Sequence, residues 1–390
     1  MAARKDDKPA GRVDAVTLVS DVLAQAVARG ASDVHFEPTG RGLTIRYRLD
    51  GELKTIEELP SIVSDNVLTR LKVLGQVLTY RNDIPQEGRI PVAEAIPGTA
   101  ATEVTDMRLA VFPTIHGQRA VVRLFYEDRG LMHLDQLGLR ENILQALTEI
   151  AAGREGVLLL TGPAGSGKST TLAAMLRYIL QRFSGRSVVA LEDPVERIIP
   201  GVTQVQVSAT GPMTFPVALR SLLRQDPEVL MLGEIRDAET ARIAIEAGLT
   251  GHLLMSTLHS GSPAGALLRL LEMGIEPYQV TSAISAVLNQ RLVRRLCPHC
   301  RRRDGGGAWQ PIGCGECLDT GFHGRVLIAE LVRLDGELRR ALLGKTDLDQ
   351  LQQLLRQRGH MTLAQDAARL VAQGVTTPAE IEKALGSETN

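Results

Sequence analysis

Val157-Leu158-Leu159-Leu160-Thr161 runs directly into Gly162-Pro163-Ala164-Gly165-Ser166-Gly167-Lys168-Ser169-Thr170-Thr171. The apolar run Val157 to Leu160 reads as a short buried strand. The residues after it satisfy G-x-x-x-x-G-K-[ST] at every fixed position, and Thr170 to Leu180 reads as a helix. Strand, glycine loop and helix, in that order, is the context in which this pattern binds phosphate. Glycines let backbone N–H groups turn inward around phosphate oxygens, and the helix N-terminus adds the positive end of its dipole. The spacing places the nucleotide against Gly162, Pro163, Ala164, Gly165, Ser166, Gly167 and Thr170. It sends Lys168 to the β- and γ-phosphates and gives Ser169 to Mg²⁺.

Downstream of this loop, short apolar strands alternate with helices. Ser187 to Glu192 is a second buried strand ending in Glu192-Asp193-Pro194. Phe215 to Leu223 is helical, Val229 to Leu232 is a third strand ending at Gly233-Glu234, and Ala238 to Ala247 is helical. His252 to Thr257 is a fourth strand ending at Leu258-His259. This alternation describes an α/β domain with a mostly parallel sheet, whose ligand crevice lies at the strands' carboxyl ends. Glu234 and Glu192 both end strands there, and each could polarise an attacking water; Glu234 is the preferred general base. Asp193 and Glu196 follow Glu192 closely. His252 and His259 flank one strand and are too far apart to share an atom; His252 and Asp193 are counted with the nucleotide-binding residues, and His259 is placed to sense the γ-phosphate or to link to Glu234.

Upstream, Val13 to Arg29 has helical spacing, Leu43 to Leu49 alternates as a strand, and Asp50-Gly51 is a hairpin signal before a strand from Glu52. Ser61 to Leu78 is helical. Gln86 to Ile90, Thr102 to Ala110 and Gln118 to Phe125 read as strands, with Pro113 to Gly117 as a turn. The expected organisation is a flexible tail over 1–12, a smaller α+β domain over 13–129, a linker over 130–138 and the nucleotide domain over 139–390. Cys297-Pro-His-Cys300 and Cys314-Gly-Glu-Cys317 make C-x2-C-x13-C-x2-C, the spacing of a closed tetrahedral zinc knuckle, here assigned to 291–325. The chain from Leu331 is expected to be helical. Arg291 to Arg303 is strongly basic, a solvated face or a surface for acidic lipid or nucleic acid.

A net charge of −1 over 390 residues gives no chain-wide nucleic-acid footprint. No apolar stretch is long enough to span a bilayer, and the charged N-terminus is no signal peptide, so a cytosolic protein is the default expectation.

These residues resemble the secretion and pilus-assembly ATPases of type II secretion systems and type IV pili, from about Val13 to the C-terminus. Ala31-Ser-Asp-Val-His-Phe-Glu-Pro38 and Arg46-Tyr-Arg-Leu-Asp-Gly51 resemble the family's N-domain signature. Gly162 to Thr170, Glu192 to Glu196, Leu219 to Asp237 and Thr250 to His259 match its Walker A, aspartate box, Walker B region and histidine box. Gln290-Arg-Leu-Val-Arg-Arg-Leu-Cys297 and the cysteine pairs resemble its zinc-bearing assembly branch. The resemblance implies a RecA-like domain behind a PAS-like one, in a homo-hexameric ring peripherally attached to the inner membrane. It would hydrolyse Mg-ATP beside membrane-platform proteins to move pilin-like subunits, with zinc structural. It further implies that Arg108 and Arg123 deliver charge to the γ-phosphate when domains close. Ala110, Gln118 and Gly261-Ser262 depart from the pattern, where Ser, Glu and Asn-Asp are usual. The chain starts almost at the PAS-like domain, whereas members with a further N-terminal domain dock it on a platform partner. The rival readings are a nucleic-acid translocase on the same core, and a nucleotide-gated scaffold with little turnover.

Overall fold

The computed structural model describes residues 14–97, 104–126, 133–208, 211–344 and 346–386. The expected tail over 1–12 and the start of the expected linker, 130–132, lie outside the described residues. The chain divides into two compact units, Met1–Arg129 and Gly130–Asn390.

In the first unit, α1 (Ala15–Ala28) is followed by β1 (Asp33–Thr39), β2 (Gly42–Leu49), β3 (Glu52–Pro60), α2 (Ser61–Leu74), β4 (Gln86–Ile90), a single helical turn α3 (Val92–Ala95), β5 (Val104–Thr114) and β6 (Gly117–Tyr126). The strands form one antiparallel sheet in the order β3-β2-β1-β6-β5-β4. The Asp50-Gly51 turn closes the β2–β3 hairpin with both residues at positive φ, 50° and 92°, which suits its two central positions. Alternation sends Val34, Phe36, Ile45, Tyr47, Leu109 and Val122 into a core under α1 and α2. The same alternation puts Asp33, His35 and Glu37 on the opposite face, with Arg46, Arg48, Arg119 and Arg123 beside them.

The second unit opens with a 3₁₀ turn, Leu134–Leu137. Leu134 and Leu137 are buried in this unit's own core, so the later part of the expected linker is packed structure. Then come α4 (Glu141–Ala152), β7 (Gly156–Thr161), α5 (Lys168–Arg182), β8 (Val188–Glu192), β9 (Thr203–Gln206), α6 (Phe215–Leu222), β10 (Val229–Leu232), α7 (Ala238–Leu249), β11 (Leu253–Leu258), α8 (Pro263–Glu272), α9 (Pro277–Ala283) and the long β12 (Ile284–Leu296). A two-stranded ribbon, β13 (Arg301–Arg303) and β14 (Trp309–Pro311), precedes β15 (Phe322–Arg333). Four helices finish the described chain: α10 (Gly336–Leu343), α11 (Leu348–Gln357), α12 (Leu363–Ala372) and α13 (Pro378–Leu385).

The seven-stranded sheet runs β15-β12-β7-β11-β10-β8-β9, and every pairing in it is parallel except β12 with β15. Strands β7, β10 and β11 are buried along their whole length, because helices cover both faces. Two expectations need correction. Helix does not begin at Leu331: Leu331, Val332 and Arg333 pair with Leu288, Val287 and Ala286, and helix begins at Gly336. Residues 291–296 and 322–325 are sheet, so the cysteine knuckle is the shorter excursion between β12 and β15.

Candidate functional site

The carboxyl ends of β7, β8, β10 and β11 form one edge of the sheet. The register sets them level: Thr161 is opposite Leu258, and Leu232 is opposite both Ser256 and Leu191. Past Thr161 the chain turns through Gly162, Gly165 and Gly167, at φ 138°, 73° and 91°, before α5 begins at Lys168. A side chain at Gly162 would lie 2.4 Å from the Gln290 carbonyl oxygen, so this glycine is needed for closeness as well as conformation. A side chain at Gly165 would meet nothing within 4 Å, which leaves that side of the loop open to a ligand. Ser166 Oγ is buried without a hydrogen-bond partner among the described residues. The loop is thus a backbone cradle with an unanswered hydroxyl, which fits a phosphate chain.

Lys168 Nζ donates to the carbonyls of Gly162 and Pro163, at 2.8 Å each. Burial pushes its pKa down, Arg291 adds to that, and Glu234 pulls the other way. Ser169, the first-turn hydroxyl, lines a small cavity of about 40 Å³ together with Glu192, Glu196, Arg197 and Gly233. Glu192 accepts a hydrogen bond from Gln204 Nε2 at 2.8 Å, and burial raises its carboxyl above the usual glutamate value. A hydroxyl beside two carboxylates is a donor set suited to a hydrated hard cation.

Glu234 sits just beyond β10, mostly buried. Its Oε2 is 3.5 Å from His259 Nε2, and its Oε1 pairs with the Arg236 guanidinium. Arg236 also lies 4.0 Å from Asp193 Oδ2. Glu234, His259, Asp193 and Arg236 therefore form one polar cluster at the strand ends. Asp237, next in sequence, caps α7 by accepting from the Thr240 N–H at 2.8 Å.

His252 is placed elsewhere. It precedes β11, whose first residue pairs with Gly156 at the start of β7, so a full strand separates it from the loop, about 20 Å by strand rise. Its Nδ1 lies 3.1 Å from the Ala247 carbonyl, where it helps end α7. The expectation that His252 touches nucleotide is corrected accordingly: it lies at the wrong end of the strand.

Gln290, the first residue of the stretch that resembles the assembly branch and one given no role there, lies fully buried against the phosphate loop. Its Nε2 donates to the Ser166 carbonyl at 2.8 Å, and its Oε1 accepts from Thr171 Oγ1 at 3.1 Å. The flanking Asn289 and Arg291 both donate to the Gly261 carbonyl, at 2.8 and 3.4 Å. The register of β12 on β7 reveals this contact, which the resemblance of residues 290–297 did not predict.

The four cysteines converge. Cys297, Cys300, Cys314 and Cys317 place their sulfurs within 4.8 Å of one another. The Cys300–Cys317 and Cys314–Cys317 separations are 3.8 Å and Cys297–Cys314 is 4.0 Å. A tetrahedron with metal–sulfur bonds of about 2.3 Å has edges of about 3.8 Å. Backbone N–H groups of Cys314 and Gly321 point at Cys317 Sγ, at 3.3 and 3.2 Å, as they would at a thiolate. Much of the adjoining basic run is engaged internally. Arg294 pairs bidentately with Glu380 and stacks on Phe322, while Arg301 and Arg303 lie over Trp309.

In the first unit, Arg89, Arg108, Arg123, Asp33 and Arg48 stand in register across β4, β5, β6, β1 and β2. Directly opposed like charges destabilise a sheet, so this row is a cost that neighbouring acids only partly offset. Arg123 donates to Asp33 at 2.9 Å, and Arg108 donates to Asp106 at 3.4 Å and stacks over Phe125. Both side chains remain more than half exposed.

The family description "Type II/IV secretion system protein" fits residues 9–383. The chain is 41% identical over 367 residues to the type II secretion system protein HxcR of Pseudomonas aeruginosa, covering 94% of this chain and 76% of that one. It is 37% identical to the type IV pilus assembly ATPase PilB of Thermus thermophilus, covering 93% of this chain and 42% of that one. Among solved structures, the pilus retraction motor PilT with bound ADP superposes with a TM-score of 0.63 at 24% identity, covering 95% of this chain and 97% of that one. The Yersinia pseudotuberculosis ATPase DotB superposes at 0.70 with 20% identity, covering 97% and 96%. These two likenesses establish the fold. With the phosphate loop, the acidic strand ends and the matched sequence taken together, the chain belongs to the type II/IV secretion system protein family, a family of secretion and pilus-assembly ATPases.

Proposed function

We propose that this chain is the motor ATPase of a type II secretion or type IV pilus machine, hydrolysing Mg-ATP to drive assembly of pilin-like subunits. The observation that carries the reading is the meeting of the phosphate loop, Ser169 with Glu192, and the Glu234–His259 pair at one edge of the sheet. Loop N–H groups and Lys168 hold the β- and γ-phosphates, Lys168 exchanging its two carbonyl partners for phosphate oxygens. Glu234 orients a water for attack and accepts its proton at a carboxylate oxygen. His259, tied to the same carboxylate, senses the γ-phosphate. Ser169, with Glu192 and Glu196 beside it, would hold Mg²⁺, which neutralises charge on the phosphates when bound.

The four thiolates would hold Zn²⁺ in a closed structural site that leaves no position for substrate. The chain works as a homo-hexamer in which Arg108 and Arg123 of the N-terminal domain, PAS-like by resemblance, reach the γ-phosphate, so that hydrolysis is tied to domain movement. Among the described residues no helix is long and apolar enough to cross a membrane. Attachment to the inner membrane would then be peripheral, through platform proteins. Nucleic acid is not an expected partner: the arginines of the one basic run are largely engaged within the fold. The test is Mg-dependent ATP turnover as a function of protein concentration, beside Lys168→Ala. Specific activity should rise with concentration and vanish in the variant. A concentration-independent rate, or one that Lys168→Ala retains, would overturn the reading.

A further inference from the structure

We infer that Gln290 is a positioning residue of the phosphate loop: its side-chain amide clamps the loop from beneath and holds the Ser166 carbonyl out of the phosphate cradle. This rests on the reading of residues 162–169 as the nucleotide site.

A phosphate loop works only if its N–H groups face the ligand, and each N–H turned inward leaves a neighbouring carbonyl to be turned away. A carbonyl directed at the cradle would repel the phosphate, and one buried without a partner is costly. Gln290 answers the Ser166 carbonyl with an N–H at 2.8 Å. The other end of the same amide accepts from Thr171 Oγ1 at 3.1 Å, in the first turn of α5. The two bonds fix the amide's orientation, because exchanging its nitrogen and oxygen would set two acceptors face to face at Ser166. One planar group thus ties the loop to the helix that follows it.

The contact is tight on both sides. A side chain at Gly162 would collide with the Gln290 backbone, and one at Gly167 would lie 3.2 Å from Gln290 Nε2. The support is rigid as well. Asn289 pairs with Thr161 in the β12–β7 register, so Gln290 falls beside the first residue of the loop. The neighbours on either side of Gln290 brace Gly261, in the loop that leaves His259. Three successive residues of one buried strand therefore hold both the phosphate loop and the histidine loop at a fixed separation. A site that must hold its groups within a fraction of an ångström needs such a support.

The experiment compares the full chain as wild type, Gln290→Met and Gln290→Glu, measuring the Kd for Mg-ATP, kcat and KM across pH. Methionine fills the same space without either bond. It should weaken Mg-ATP binding on the order of tenfold or more, the scale of a buried carbonyl left unpaired. Glutamate keeps the acceptor for Thr171 but sets a carboxylate against the Ser166 carbonyl. Protonation turns that oxygen into a donor, so the Glu variant should regain affinity as pH falls, while wild type does not. A residue that merely fills space would give no such rescue. If Gln290→Met binds Mg-ATP as wild type does, the inference is overturned and the reading of the loop stands. If wild type itself binds no Mg-ATP, both fall. If the Met variant fails to fold, the Glu profile decides, and affinity that follows the wild-type curve at every pH overturns the inference.

Discussion

Gln118→Glu should stabilise the N-terminal unit, and the reason lies in an unusual lysine. Lys72 is 1% exposed on the inner face of α2. Its ammonium donates to the carbonyls of Thr79 and Arg81, at 3.1 and 2.7 Å, to Asn82 Oδ1 at 3.0 Å and to Gln118 Oε1 at 3.1 Å. All four partners are neutral, and burial pushes the Lys72 pKa below the ordinary 10.5. The other end of the Gln118 amide, Nε2, is buried with no partner among the described residues. Glutamate there places a countercharge at 3.1 Å and removes the unanswered donor. The attraction is about 5 kcal/mol at an effective dielectric constant of about 20. Desolvating the new carboxylate takes back several kcal/mol, leaving a net gain of about 1–3 kcal/mol. Hydrogen exchange on the full chain should show α2 and β6 amides slowed, with about 1.4 kcal/mol for each tenfold of protection. The pH dependence gives a second check. In wild type the unfolded chain binds one more proton between the lowered Lys72 value and 10.5, so stability rises with pH across that window. The countercharge lifts Lys72 back and flattens the rise. Faster exchange in Gln118→Glu, or an unchanged alkaline slope, would refute the reasoning.

Cys297→Ser should lower bound zinc in metal analysis of the purified chain, and zinc content equal to wild type would contradict a four-thiolate site. Arg108→Ala should reduce ATP turnover while leaving nucleotide binding intact, because its proposed target is charge on the γ-phosphate; unaltered turnover would remove it from the mechanism. Arg294→Ala strips a mostly buried carboxylate, Glu380, of its bidentate partner, and should destabilise the C-terminal part by about 2–5 kcal/mol. Thermal melts and exchange of α13 amides would report that loss.

Strands β7, β8, β10 and β11 were legible in the sequence because a strand buried on both faces is an unbroken apolar run, and the acids and histidine that follow them mark its ligand edge. The β2–β3 hairpin was legible from the alternation of Leu43 to Leu49 and the Asp50-Gly51 turn that follows it. Strand β12 was not. It carries Asn289, Gln290, Arg291 and Arg294, whose polar groups are answered by the phosphate loop, Gly261 and Glu380, contacts that exist only after folding. Such a strand reads locally as a basic surface run. Its partner β15 suffered similarly: Leu331 to Arg333 look helical beside the helices that follow, until pairing with β12 claims them. His252 was misplaced for another reason. A residue before a strand and one after it are close in sequence, yet only the later one, His259, reaches the edge where Glu234 waits.

The most direct test of the central claim is Mg-dependent ATP hydrolysis by the purified chain beside Glu234→Gln, with nucleotide binding measured on both. Wild type should turn over, and the variant should bind Mg-ATP with similar affinity and hydrolyse it at least a hundredfold more slowly, about the range of a general base. A Glu234→Gln chain that turns over at the wild-type rate would contradict the account.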